Sequence, residues 1–103
     1  MSAANPLRGE AELRLGGEVH ALRPSFAALV AAEEELGPLV ALVERAADGG
    51  LRLAELAALF WHCLRERPVG LTREAVGEAV VAQGLAAVTP ALRVLLGQIL
   101  QGR

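Results

Sequence analysis

The chain is poor in the residue types that staple small proteins together or carry out chemistry. Its 103 residues include one cysteine, no tyrosine and no lysine, and the aromatic side chains are limited to Phe26, Phe60 and Trp61. Because Cys63 is alone, an intrachain disulfide is excluded, and nothing indicates an oxidising compartment. The N-terminus also lacks a basic start followed by an apolar run of signal-peptide length. We therefore expect the bacterial cytoplasm as the location.

Long apolar runs and clusters of basic residues are missing as well. Glycine, proline or charged residues interrupt every apolar stretch before it reaches the ~18 residues that a membrane-spanning helix requires, so no membrane contact is expected. The basic residues, all ten of them arginine, are interleaved with twelve acidic residues, and the net charge is −2. Proteins that bind nucleic acid normally present a basic face to the phosphates. Nucleic acid is therefore not an expected partner.

Helix-forming residues dominate what is present. Alanine, leucine and valine make up most of the hydrophobic content of 53%, and this composition favours helices. A chain of this length fits a single domain, residues 1–103, with one core. We expect residues 1–8 to be flexible, residues 9–23 to form a β-hairpin and residues 25–101 to be helical. The predicted fold class is α+β, with the N-terminal hairpin packed on a bundle of about five short helices.

The hairpin prediction depends on a period of two and on a glycine pair. Residues 10–15 alternate between polar and apolar side chains, which is typical of a half-buried strand. Gly16 and Gly17 then supply the two positive φ angles of a tight turn, and residues 18–23 form the return strand. The predicted pairs are Ala11 with Leu22, Leu13 with His20, and Leu15 with Glu18. On the inward face, His20 is expected to be a partly buried histidine rather than a functional group.

Caps mark the first, second and fourth helices. Ser25 and Thr72 are predicted N-caps of the first and fourth helices, because their hydroxyls accept hydrogen bonds from main-chain N–H groups of the first turn. Gly37 suits the end of the first helix, and Pro38 suits the beginning of the second. Gly84 is predicted to end the fourth helix.

The third and fifth helices are predicted from proline positions. The third is expected over residues 53–67 and is ended by Pro68. The fifth is expected to begin with Thr89 as N-cap and Pro90 in its first turn, since an interior proline costs about 3 kcal/mol. It is expected to run to about residue 101. A kink at Pro90 within a longer helix is the alternative.

No group of residues converges on catalysis or metal binding. His62 and Cys63 are neighbours, but adjacent helical side chains point about 100° apart, and no second pair lies at a ligand spacing. Glu33, Glu34 and Glu35 fan across a helix, so they are expected to form a solvated face rather than a pair of catalytic carboxylates. The sequence therefore predicts no catalytic residue, no metal site, no cofactor and no enzymatic activity.

The third helix is more apolar than one buried stripe requires. That stripe is expected to contain Leu53, Leu56, Phe60, Cys63 and Leu64. Leu59 and Trp61 lie outside it, and tryptophan is enriched at interface hot spots. We therefore predict a partner-binding edge made of Leu59, Trp61, His62 and Arg65. Two alternatives are that the fifth helix covers this side, or that the patch is a contact between copies in a homo-oligomer.

Several segments resemble a known family of small tail proteins. They are Asn5-Pro6-Leu7-Arg8-Gly9-Glu10, the turn Gly16-Gly17, Leu22-Arg23-Pro24-Ser25-Phe26 with Leu29, the segment from Glu33 to Gly37, the segment from Leu53 to Leu64, and Leu71-Thr72-Arg73-Glu74. Their order is similar to that of proteins encoded in tail clusters of phage-like gene transfer agents and prophages, known as tail tube or tail assembly chaperone proteins. The turn of that family more often carries Asp-Gly than Gly-Gly.

This resemblance implies a protein that binds other tail proteins. Tail tubes close rings through extended β-sheets, whereas this sequence provides one hairpin, so the chain resembles a tail assembly chaperone more than a tube subunit. The implied partners are the tape measure protein, the tail tube protein or both, bound before assembly, with the chaperone absent from the finished particle. A structural tail component is the alternative. A small DNA-binding regulator is a distant one. The third and fourth helices superficially resemble a helix-turn-helix, but the fourth would present Arg73, Glu74 and Glu78, a set too acidic to bind bases.

Overall fold

The computed structural model describes residues 11–101, which form two strands and five helices. In chain order they are β1 Ala11–Leu15, β2 Glu18–Leu22, α1 Phe26–Leu36, α2 Leu39–Ala47, α3 Leu53–Cys63, α4 Arg73–Gln83 and α5 Leu85–Gln101. The predicted α+β class, a hairpin followed by five helices, is confirmed. Residues 1–8, predicted to be flexible, and the first two residues of the predicted hairpin segment lie outside the described residues.

The hairpin has the predicted register. The antiparallel pairs include Ala11 with Leu22, Leu13 with His20, and Leu15 with Glu18. Gly16 and Gly17 have φ angles of 58° and 93°, both in the left-handed region that glycine adopts readily. The inward face is buried at Leu13, Leu15 and Leu22, and His20 is partly buried as predicted. The alternating pattern therefore specified both the pairing and the face that meets the helices.

The outer edge of β2 is occupied by the residues that follow α3. The N–H of Arg23 donates to the carbonyl oxygen of Cys63 at 2.6 Å, and the N–H of Arg65 donates to that of Ala21 at 3.0 Å. These bonds flank an antiparallel bridge between Leu22 and Leu64, both of which are buried. The third helix therefore ends at Cys63, and the predicted extent to residue 67 is wrong. Pairing with β2 and burial of Leu64 replace the helical hydrogen bonds of a further turn.

The outer edge of β1 is covered at one point by α4. The side-chain amide of Gln83 donates to the carbonyl oxygen of Arg14 at 2.7 Å and to that of Ala79 at 3.1 Å. An edge carbonyl without such a partner would be open to pairing with another chain. The edge of β2 is thus paired within the chain, and the edge of β1 is engaged at one carbonyl.

The predicted caps of α1 and α4 are present. The Ser25 hydroxyl accepts from the N–H of Ala28 at 3.2 Å, and the Thr72 hydroxyl accepts from the N–H of Ala75 at 3.0 Å. Gly84 ends α4 with a φ of 93°, so the chain reverses direction there without strain. The N-caps Ser25 and Thr72 therefore fix where α1 and α4 begin.

The start of α5 differs from the prediction. The helix begins at Leu85, and Pro90 lies inside it rather than in its first turn. Proline has no N–H to donate to the carbonyl of Ala86, and the exposure of Ala86 lowers the cost of the missing hydrogen bond. The Thr89 hydroxyl donates to the carbonyl of Leu85 at 2.8 Å instead of capping a helix that begins after it.

Within residues 11–101, no single helix is long and apolar enough to cross a membrane. The helices α4 and α5 pass that test of length and composition only when taken together, and a bend of 120° separates them.

The core is centred on α3. This helix packs against α1 and α4, while β1 packs against α4 and α5. Six of its residues are buried: Leu56, Ala57, Ala58, Leu59, Phe60 and Cys63. A helix buried over so much of its circumference must be covered by several neighbours, which explains why the short helices around it are stable.

An ion pair joins α2 to the beginning of α3. The two guanidinium nitrogens of Arg45 each lie 2.8 Å from an oxygen of the Glu55 carboxylate. Glu55 also accepts from the main-chain N–H of Arg52 at 2.9 Å. The hydrogen bonds from Arg45 and Arg52 lower the pKa of Glu55 from 4.5 to about 2. This paired geometry fixes the first turn of α3.

Replacing the central inward residue of the hairpin should destabilise the fold. Leu13 is 1% exposed, so Leu13→Ala should lower the free energy of unfolding by about 2–5 kcal/mol through lost burial and the cavity left behind. Val19→Ala is the matched control because Val19, on the same hairpin, is 41% exposed. Urea denaturation measures both variants. Equal midpoints for Leu13→Ala and wild type would show that the hairpin does not contribute to the core.

The Arg45–Glu55 pair should make stability depend on pH in the acid range. Because the folded-state pKa of Glu55 is depressed, its stabilisation is fully present above the ordinary value of 4.5 and is lost as the pH falls towards about 2. Thermal midpoints of wild type and Glu55→Gln should therefore differ at pH 7 and converge between these two values. Glu44→Gln, an exposed change on α2, serves as the control. A difference that persists unchanged at pH 2 would exclude this origin.

Candidate functional site

The predicted binding edge of α3 does not exist as one surface, because Leu59 is part of the core. Its side chain is fully buried in a cluster that also contains Phe60 and Leu95. The prediction for Leu59 is wrong because a helix covered by several neighbours buries more than a single stripe. The opposite correction applies to Leu53, which was expected in the buried stripe and is 45% exposed.

Trp61 and Arg65 take separate roles at the end of α3. The Trp61 ring is partly buried against the core, and the guanidinium carbon of Arg67 lies 4.7 Å from its centroid. This geometry is a cation–π contact. Arg65 is exposed, and its main chain belongs to the bridge with β2. A partner contact by either residue stays a prediction.

His62 belongs to a charged cluster with two residues of other helices. Its Nε2 atom lies 2.8 Å from Oε1 of Glu35 at the end of α1, and since a carboxylate only accepts, the imidazole N–H donates. Nη1 of Arg73, the first residue of α4, donates to Oε2 of the same carboxylate. Nη2 of Arg73 lies 3.5 Å from Nε2 of His62. The cluster therefore ties together α1, α3 and α4.

Glu35 is held in its ionised form by these contacts. The hydrogen bond from His62 is the largest cause of the lowered pKa of Glu35, and the hydrogen bond from Arg73 is the next. Glu33, two residues earlier, accepts from the main-chain N–H of Leu39 at 3.1 Å and so caps α2. All three glutamates are exposed, as expected of a solvated face, and the structure adds specific contacts for Glu33 and Glu35 that the sequence did not predict.

An open cleft runs between α3 and α4 and ends at this cluster. The two helices are antiparallel, since Gly77 faces Ala57 at the middle and Arg73 lies near His62 at one end. A Cβ placed on Gly77 would meet the Ala57 Cβ at 3.6 Å, so small residues set the close spacing. The cleft has a volume of about 920 Å³.

The walls of the cleft are mainly apolar. They are lined by Leu53, Ala54 and Ala57 of α3 and by Gly77, Val81 and Ala82 of α4. Leu53 and Val81 are 45% and 60% exposed. Exposed large apolar side chains on one face are typical of a surface that binds another protein.

The α4 rim of the cleft is acidic. Glu74 and Glu78 line it one helical turn apart, and neither has an ion-pair partner among residues 11–101. By contrast, Arg73 is paired with Glu35. Sequence reasoning considered these α4 residues as a DNA-binding face but missed their place beside α3. The spacing of residues 73, 77 and 81 places them on one face of a helix and can be read from the sequence. The packing of α3 against α4 cannot.

Two kinds of reactive group were considered among the described residues, the thiol of Cys63 and clusters of possible metal ligands. Burial raises the pKa of the Cys63 thiol to about 12, so the reactive thiolate is strongly disfavoured. Among residues 11–101, no cluster of three or more His, Cys, Asp or Glu side chains is arranged to hold a metal ion.

A protein-family model described as "Phage tail tube protein, GTA-gp10" matches residues 8–102. A comparison with curated proteins found no match, and a comparison with solved structures also found none.

Removing the Trp61 ring should destabilise the protein. Trp61 is only partly buried, so Trp61→Ala should lower the free energy of unfolding by roughly 1–3 kcal/mol, less than for a fully buried tryptophan. Arg67→Ala isolates the cation–π contact and should cost about 1 kcal/mol or less. Thermal denaturation measures both. An unchanged midpoint for Trp61→Ala would mean that the ring is free for a partner, as the sequence predicted.

Proposed function

Because the chain belongs to the family of phage tail tube proteins of the GTA-gp10 type, we propose that it acts as a tail assembly chaperone of a phage-like gene transfer agent or prophage. In this role it binds the tape measure protein, the tail tube protein or both before the tail is assembled. It then leaves, and it is absent from the finished particle. The family relation itself places the chain among phage tail proteins.

The observation that carries the proposal is that, in the only sheet of residues 11–101, the outer edge of β2 is paired within the chain and the outer edge of β1 is engaged at the Arg14 carbonyl. β2 pairs with the segment around Leu64, and Gln83 binds the Arg14 carbonyl on β1. A tube subunit that closes a ring through extended β-sheets needs free strand edges for its neighbours. This chain offers helical surfaces instead, which favours a protein that binds partners through side chains.

The cleft between α3 and α4 suits reversible binding. It combines exposed apolar walls with a charged rim, and its cluster of Glu35, His62 and Arg73 is already neutralised internally. Interfaces of modest area with polar rims associate and dissociate readily. A chaperone requires this behaviour because its partner must be released.

A structural tail component is the second candidate, and the description of the matching family favours it. A DNA-binding regulator is disfavoured, because Glu74 and Glu78 would face the phosphates from α4.

The proposal includes neither catalysis nor a cofactor, and it assigns the protein to the bacterial cytoplasm, where tails are assembled. The high pKa of the Cys63 thiol supports a binding role for the chain rather than nucleophilic chemistry.

Comparing producing cells with purified particles tests the proposal. We expect the protein to be abundant in cells, to co-purify with tape measure or tail tube protein from lysates, and to be absent from washed particles measured by quantitative mass spectrometry. The tail tube protein itself is the control for particle recovery. Stoichiometric amounts of the chain in finished particles would contradict the chaperone role and support the structural one.

A further inference from the structure

We propose that the cleft between α3 and α4 binds an amphipathic helix that carries two basic side chains one turn apart. The inference rests on the proposed function and names the kind of segment that a tail protein would supply. It follows from the shape of the cleft, from its exposed apolar residues and from the charge of its rim.

The shape of the cleft fits a short helix. From Arg73 to Val81 the α4 wall has nine residues, and the eight rises between them span about 12 Å, slightly more than two turns of a docked helix. Alanine and glycine at Ala54, Ala57 and Gly77 provide a shallow floor that lets another helix approach closely. A helix laid in this groove would align its residues i, i+3 or i+4 and i+7 with the floor.

The apolar side chains are placed at the open end of the groove. Leu53 of α3 and Val81 of α4 line it there, and both are exposed. At the other end, the Glu35, His62 and Arg73 cluster closes the groove with a neutralised set of charges. The occupant therefore needs an apolar face, and its length is limited by this cluster.

The rim specifies the charge of the occupant. Glu74 and Glu78 are separated by one turn and have no ion-pair partner among the described residues. A docked helix with lysine or arginine residues at the same separation would pair with both, whereas an acidic helix would be repelled.

A second copy of this chain does not fit these requirements. The chain has no lysine, and each of the five described helices carries at most one arginine, at Arg45 in α2, Arg73 in α4 and Arg93 in α5. None of these helices supplies two basic side chains one turn apart. Charge complementarity therefore favours a different protein as the occupant.

Two matched synthetic helical peptides test the charge of the occupant. Both carry leucines at i, i+4 and i+7, and they differ in having two lysines or two glutamates one turn apart on the flank. Fluorescence anisotropy with the full-length protein should give a Kd about ten-fold lower for the lysine peptide. The double variant Glu74→Arg/Glu78→Arg should reverse this order. Equal binding of both peptides, or no binding of either, would overturn the proposal.

A second pair of variants tests the apolar walls. Leu53→Gln/Val81→Gln should raise the Kd for the lysine peptide by about ten-fold, since it removes the two largest exposed apolar side chains of the groove. Val40→Gln/Leu100→Gln is the matched control, because those residues are 64% and 60% exposed on other helices and should leave the Kd unchanged. Thermal midpoints verify that both variants are folded. Equal Kd values for the two double variants would exclude the cleft as the binding site.

Co-purification with full-length tail proteins separates this inference from the proposed function. If wild type binds a tail protein and Leu53→Gln/Val81→Gln binds it equally, the cleft is wrong and the chaperone role stands. If wild type binds no tail protein, the chaperone role fails. The peptide titration still shows whether the cleft binds a basic amphipathic helix. Self-association that is lost only in Leu53→Gln/Val81→Gln would identify a second copy as the occupant and overturn the proposal.

Discussion

The structure depends on the burial of α3. Six of its eleven residues are buried, and α1 and α4, which pack against it, have eleven residues each and are too short to be stable without tertiary contacts. The end of α3 is part of the same constraint, because the chain leaves the helix at Cys63 and immediately pairs with β2 through the Leu22–Leu64 bridge. This pairing joins the helical layer to the hairpin and also occupies the sheet edge. A single packing requirement thus determines the core and limits how the chain contacts other proteins.

Local features of the fold were predictable from sequence, and contacts between distant segments were not. The Gly16-Gly17 turn defined the hairpin register, and Ser25 and Thr72 defined helix starts, because these signals act over a few residues. The end of α3 was missed since it depends on β2, more than forty residues earlier in the chain. The start of α5 was missed because the cost of Pro90 is lowered by the exposure of Ala86.

The candidate site illustrates the same limit. His62 was predicted as part of a partner-binding edge, and its ion-pair cluster was not predicted. Its partners Glu35 and Arg73 lie on two other helices, and their meeting depends on the packing of α1, α3 and α4. Helical periodicity predicted Leu53 as buried and Leu59 as exposed, and the structure shows the reverse. The pattern defines the spacing of apolar residues but not which side of the helix a neighbour will cover. The exposed surface that results is the cleft that Leu53, Ala54 and Ala57 of α3 line together with α4, and not the predicted edge. It presents apolar walls and an acidic rim, a combination that favours selective and reversible protein binding.

Hydrogen–deuterium exchange of the protein, alone and with a bound tail protein, tests the central claim most directly. The account predicts slower exchange in the complex for the α3 and α4 segments that line the cleft, Leu53–Cys63 and Arg73–Gln83, with no change in the hairpin, whose edges are already engaged. Slower exchange confined to β1 and β2 would show that partners bind through the sheet. That result would contradict binding through the helices, and it would favour a tube subunit, which pairs with its neighbours through strand edges.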